Sequence, residues 1–200
     1  MLKSRIIGGQ RGAALMEVLV SILITSFGLL ALAGLQTKMN AALYESYQRG
    51  QALALLGDMT ERMESNWNQA TNYAPSAATM TMAGTGVVHP ADCSGLATMA
   101  LIDVCEWGNG LLGASQTAAA GAGGGKVGAM LGARGCIEVL QAPNATTGIC
   151  QPAIYRVTVA WQGFNATVAP AVSCGVDQYG DDALRKAVSS RVVVPLASCS

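Results

Sequence analysis

The sequence predicts an α+β chain: a long N-terminal helix with a small antiparallel sheet packed on its C-terminal half. Three observations predict it. Residues 13–35 are almost uniformly apolar and free of proline, which at ~1.5 Å rise per residue is long enough to cross a bilayer core as a helix. Residues 36–73 continue without proline and are rich in helix formers. The last third of the chain then switches to a period of two, clearest in Ile154-Tyr155-Arg156-Val157-Thr158-Val159-Ala160-Trp161, which is the signature of a half-buried strand.

The helix reads in two halves. In 13–35 the one ionisable residue is Glu17. A charge at mid-membrane costs about 2.5–3.5 kcal/mol on insertion scales and less towards the interface, so this carboxylate needs a partner, and the apolar run holds no basic residue. In 36–73 the apolar positions Ala52, Leu56, Met59, Met63 and Trp67 fall on one helical face, with Leu43 and Tyr47 continuing it approximately, while Asp58, Glu61, Arg62 and Glu64 lie mostly off it. That stripe is expected to pack on the chain's own sheet. The whole helix would be ~85 Å long and is expected to end at Ala74-Pro75-Ser76.

Residues 74–200 form the expected head. Residues 77–112 read as loop-rich with short apolar pieces, and Trp107 reads as core. Residues 113–135 are a Gly/Ala-rich flexible connection. Strands are expected at 136–140, 154–161 and 191–195, the last at a strand end or edge because of Pro195. Trp161 and Trp67 are the expected anchors of the core.

The chain carries 12 basic and 12 acidic residues, so composition gives no nucleic-acid footprint. Its six cysteines, Cys93, Cys105, Cys136, Cys150, Cys174 and Cys199, all follow the long helix. An even number outside the membrane segment reads as disulfides in an oxidising compartment. Local pairing is expected, 93 with 105, 136 with 150 and 174 with 199. A zinc site is not expected, because there is no C-x-x-C and His89 is the single histidine. No cofactor, metal or catalytic set is assigned, since no nucleophile stands in a pattern with a base.

Several letter matches are set aside. Gly123-x-Gly125-x-x-Gly128 lacks a βαβ setting, and Gly125-Lys126 lacks both the first glycine and the Ser/Thr of a phosphate loop. Asp177, Asp181 and Asp182 are candidates for calcium, but Asp181 or Asp182 capping a short helix through Arg185 is the simpler reading. Asn144-Ala-Thr146 and Asn165-Ala-Thr167 match glycan acceptors by letter only.

Lys3, Arg5 and Arg11, then Gly12, then Ala13-Ala14-Leu15-Met16-Glu17-Val18 and an uninterrupted apolar run resemble the class III leader and first helix of a type IV pilin. Leu29-Leu30-Ala31-Leu32-Ala33-Gly34-Leu35-Gln36, Arg134-Gly135-Cys136-Ile137 and Tyr155 to Gly163 resemble the PilV-type minor pilins, covering the stem well and the head in patches. The resemblance implies a leader over 1–12, cleavage by a prepilin peptidase between Gly12 and Ala13, and N-methylation of Ala13. It also implies pairing of Glu17 with the terminal amine of a neighbouring subunit, where the helix dipole also favours a carboxylate. Two departures stand out: Ala13 replaces the usual phenylalanine, and Gly34 stands where major pilins often carry proline.

The implied function is that of a structural subunit, not an enzyme. A minor pilin would help start type IV pilus assembly near the tip and so support adhesion and twitching motility. It would reside in the inner membrane with a periplasmic head and then in the cell-surface pilus. Its partners would be the peptidase, other minor pilins and the major pilin through the N-terminal helix, with no nucleic acid bound directly. The alternative is a minor pseudopilin of a type II secretion system, which genomic neighbourhood would distinguish. A third reading, a secreted binding protein cut after Ala31-Leu32-Ala33 by an ordinary signal peptidase, predicts a product with no stem, and Glu17 argues against it.

Overall fold

The computed structural model describes residues 11–114 and 130–196. The protein has an α+β layout in which helix α1 (Arg11–Ser65) is followed by a 3-10 segment (Trp67–Asn72), β1 (Thr81–Gly84), α2 (Met99–Leu111), β2 (Arg134–Gln141), β3 (Ala153–Gln162), a 3-10 turn (Asp182–Leu184) and β4 (Arg185–Val194). The strands form one antiparallel sheet in the order β1-β2-β3-β4. Contacts divide the chain after Tyr44.

The first unit is the apolar part of α1. It is long and apolar enough, by length and composition, to cross a membrane, and none of the most apolar stretch is buried within the protein. Residues 15–40 are exposed all round. A soluble helix would bury one face against its own domain; a helix apolar on every side suits a lipid or multi-helix surrounding.

The second unit holds the core. Ala52, Leu56, Met59 and Met63 from α1 pack with Ile137, Tyr155, Val157, Val159, Trp161 and Val192 of the sheet and with Trp107 and Leu111 of α2. Alternation decides which sheet residues do so. In β3 the odd positions Tyr155 to Trp161 face the helices as expected from the sequence. On the other face, Thr158 and Ala160 are also buried, because the segment after β3 folds back over them and is tied down by Cys174.

Trp107 sets the spacing between α2 and the sheet. Its indole Nε1 donates to the Leu55 carbonyl at 2.8 Å, and its ring lies on Gly135 of β2, where a Cβ would collide with it. Gly84 has φ +85° and lies under the Ala133 carbonyl. There a side chain would be both strained and blocked.

Several expectations are corrected. The α-helix ends at Ser65 rather than near 74, because Asn66 leaves helical geometry and turns its amide to Tyr73 and Asp103. The buried stripe stops short at both ends: Leu43, Tyr47 and Trp67 are exposed, and the core begins near Gln48. Residues 77–112 contain β1 and the full helix α2, capped by Thr98, whose hydroxyl accepts from the Leu101 N–H. The connection expected to run to 135 gives way earlier: Met130 and Ala133 are buried and β2 starts at Arg134. The final strand begins at Arg185 rather than 191 and stops at Val194, just before Pro195, on the sheet edge.

The disulfides are corrected in part. Cys93–Cys105 forms as expected and ties the loop before α2 to that helix. Cys136 pairs with Cys174, not Cys150, because Cys136 projects from the outer face of β2 towards the segment that covers that face. The expected 174–199 pair is thereby excluded. Cys150 is disulfide-bonded as well, and Cys199 lies outside the described residues.

Candidate functional site

On α1, Glu17, Ser21 and Thr25 recur every four residues and so form a row along one face. The hydroxyls in this region satisfy themselves. Ser21 Oγ donates to the Glu17 carbonyl at 2.7 Å, Thr25 Oγ1 to the Ser21 carbonyl at 2.5 Å and Ser26 Oγ to the Ile22 carbonyl at 2.7 Å. Thr37 Oγ1 does the same with Gly34 at 2.9 Å. Such back-bonding lets serine and threonine enter hydrocarbon without unmatched donors.

Glu17 is different. Its carboxylate has no partner among the described residues, and it is the only charge between Arg11 and Lys38. The walls around it are Val18, Ser21, Ile22, Thr25, Ser26 and Leu29. Chemically, the arrangement offers one carboxylate on an apolar helix to a cation brought from outside. Gly12 and Ala13 lie within the helical span; Lys3 and Arg5 lie outside the described residues.

In the second unit two arginines are hubs of structural hydrogen-bond clusters. Arg62 is the hub of the first cluster: Nε donates to Asp58 Oδ1 at 3.0 Å, and Nη1 to Asp103 Oδ1 at 3.0 Å and Glu106 Oε2 at 2.6 Å. Asp103 Oδ2 also accepts from Asn66 and from the Tyr73 hydroxyl. Burial alone would lower the Arg62 pKa, but its hydrogen bonds to Glu106, Asp58 and Asp103 outweigh it and raise it. Burial and then the Asp103 hydrogen bond push the Tyr73 phenol up. The cluster fastens the end of α1 to α2 and to the segment after it.

Arg185 is the second hub, and it engages one of the carboxylates considered for calcium. Its Nε and Nη2 donate to the two carboxylate oxygens of Asp182 at 2.6 and 2.7 Å. Its remaining hydrogens go to the carbonyls of Val172, Cys174 and Pro170. Asp181 caps the short 3-10 turn by accepting from Ala183 N–H at 2.9 Å. Two of the three candidate carboxylates are therefore engaged, which is the capping arrangement expected from the sequence. Among the described residues no group of His, Cys, Asp and Glu is placed to hold a metal.

His89 Nε2 accepts from the Gly84 N–H at 3.1 Å, and its ring fills the space beside Gly108. Asn165 donates through its backbone N–H and Nδ2 to Glu45 at 3.0 and 3.1 Å. Asn144 Oδ1 accepts from the Thr146 N–H at 3.0 Å, and Asn144 bridges to Gln151. The glycine-rich nucleotide-like letters lie outside the described residues. Sequence reasoning missed the Arg62 hub, placing Arg62 off the packed stripe. Its spacing of four from Asp58 was the one signal available.

No family model, curated protein or solved structure matches this chain.

Proposed function

We propose that the chain is a minor pilin, a structural subunit that enters a type IV pilus through its N-terminal helix and helps to start assembly near the tip. In this reading residues 1–12 are removed by a prepilin peptidase, Ala13 becomes the methylated N-terminus, and the apolar half of α1 waits in the inner membrane with the head in the periplasm. In the filament it packs against the helices of other minor pilins and the major pilin. Adhesion and twitching motility are then properties of the assembly, and the chain itself is no enzyme.

The observation that carries this reading is Glu17. Every hydroxyl nearby is satisfied within its own helix, so among the described residues the carboxylate of Glu17 is the one unmet electrostatic demand within the apolar span, near one of its ends. A terminal ammonium supplied by a neighbouring copy of such a helix would meet it. In lipid the unpaired carboxylate is a cost; in a filament the pair would fix axial register. The disulfide-bonded head fits an oxidising compartment.

The test is Glu17→Ala. Insertion into the membrane should be retained, because the change removes a penalty, while incorporation into sheared pilus fractions should fall at least about tenfold, which would correspond to losing ~1.4 kcal/mol of pairing. Unchanged incorporation would end the pairing account. Recovery of the wild-type protein with a secretion apparatus and not with pili would favour the pseudopilin alternative.

A further inference from the structure

Among the described residues β4 is an edge strand with one side of its backbone open, and its hydrogen bonds alternate in a fixed parity. The Gly163 N–H donates to the Leu184 carbonyl at 2.8 Å, while the Arg185 N–H turns away to Asp182. Arg185 and Gln162 are thus opposite each other without bonding directly. β3 and β4 then pair from Arg185 to Val194 with no bulge, so bonding alternates without a break. Lys186, Val188, Ser190, Val192 and Val194 bond β3. Ala187, Ser189, Arg191 and Val193 send their N–H and C=O groups outward, and none of these makes another hydrogen bond among the described residues.

The outer face beside this edge carries an incomplete charge row. Glu138 of β2, Arg156 of β3 and Arg191 of β4 lie directly across from one another. Arg156 Nη1 donates to Glu138 Oε1 at 2.9 Å. Arg191 is exposed, stands next to a like charge and has no acidic partner among the described residues. Adjacent like charges across strands are destabilising unless compensated. The neighbouring rows end at the edge in Val193, 59% exposed, on one side and Ser189 on the other.

We propose that the β4 edge receives an extended segment of a different polypeptide, added as a fifth strand, with a carboxylate opposite Arg191 and an apolar residue opposite Val193. The backbone supplies the affinity and the two side chains set the register, as in other strand additions. The carboxylate would balance the row, giving each arginine an acidic neighbour: acid, base, base, acid. A second copy of this chain pairing through its own described sheet edges would not supply that carboxylate. Neither of its edge strands, Thr81–Gly84 or Arg185–Val194, contains an acidic residue. This inference stands on the head alone and does not depend on how the stem is processed.

Amide hydrogen exchange on the full chain in detergent micelles tests it. The probe is a peptide of alternating threonine and valine with one central glutamate, compared with the same peptide carrying lysine there. In the free protein Ala187, Ser189, Arg191 and Val193 should exchange fast and Val188, Ser190 and Val192 slowly. The glutamate peptide should slow the first set by at least about tenfold, and the lysine peptide should bind less. Ser189→Pro, which removes one outward N–H, should weaken binding while leaving the slow set protected. Arg191→Glu should reverse the preference to the lysine peptide. Slow exchange of the outward set in the free monomer, protection that depends on protein concentration without peptide, or equal binding of both peptides would each overturn the proposal.

Discussion

Trp107 lies directly on Gly135: the ring fills the space where any larger residue of β2 would carry its Cβ. The tryptophan is fully buried and held by its bond to the Leu55 carbonyl, so it has no room to retreat. Gly135→Ala should therefore destabilise the head by about 1–3 kcal/mol, the usual cost of overpacking. Gly135→Ala combined with Trp107→Phe should cost less than the sum of the two, because the smaller ring vacates the contact. Chemical denaturation of the two single variants and the double variant gives the coupling; strict additivity would mean the ring and the glycine do not constrain each other.

The Arg62 cluster should lose far more from one carboxylate than from the other. Asp103 is nearly buried and serves Arg62, Asn66 and Tyr73, whereas the Glu106 side chain is about half exposed. Asp103→Ala should cost about 2–3 kcal/mol, since it strands three donors. Glu106→Ala should cost less than about 1 kcal/mol, as for an exposed ion pair. Equal effects in urea unfolding would contradict the assignment of Asp103 as the shared acceptor.

Proteolytic mapping without reduction should recover a Cys93–Cys105 peptide and a Cys136–Cys174 peptide, and neither 136–150 nor 174–199. Their removal should differ in cost. The closed loops span 12 and 38 residues, which on the chain-entropy model gives about 3 and about 4 kcal/mol. Replacing Cys136 and Cys174 by serine should cost more still, because both sit in the small apolar cluster under the covering segment. A smaller loss than for the 93–105 pair would show that this segment does not depend on its staple.

Acid should loosen the same segment. The Arg185 hydrogen bonds hold the Asp182 carboxyl below its ordinary value of 3.8. A depressed folded-state pKa gives stability that is present above the unfolded value and is lost as pH falls through the folded one. Stability should therefore decline below about pH 4, and part of that decline should vanish in Asp182→Asn, which is already less stable at neutral pH. Parallel pH profiles for the two proteins would remove Asp182 from the account.

Much of the fold was legible because its strongest patterns are local. Tyr155, Val157, Val159 and Trp161 alternate cleanly, and Ala52, Leu56, Met59 and Met63 keep helical spacing, so both faces could be read directly. Helix α2 was hidden by its composition: Gly108 and Gly110 lie inside it and it has little polar face, because it is packed by Trp107 on one side and a disulfide on another. β1 is four residues ending in a glycine, too short for a period to show. The 136–174 pairing depends on a chain reversal that no cysteine spacing records. Arg185 read as a helix-side partner of Asp182, which it is, but its burial and its role in starting β4 follow only from the three carbonyls around it. Of the candidate site, Glu17 was visible as the odd residue in an apolar run, whereas the self-satisfied hydroxyls that isolate it became evident only from their hydrogen bonds.

The most direct test of the proposed function is the mass-spectrometric N-terminus of the protein recovered from cells with and without a prepilin peptidase. The account predicts a chain beginning at N-methylated Ala13 that is present only with the peptidase. A chain beginning at Gly34 in both would contradict it, since that product lacks Glu17 and most of the apolar helix on which assembly depends.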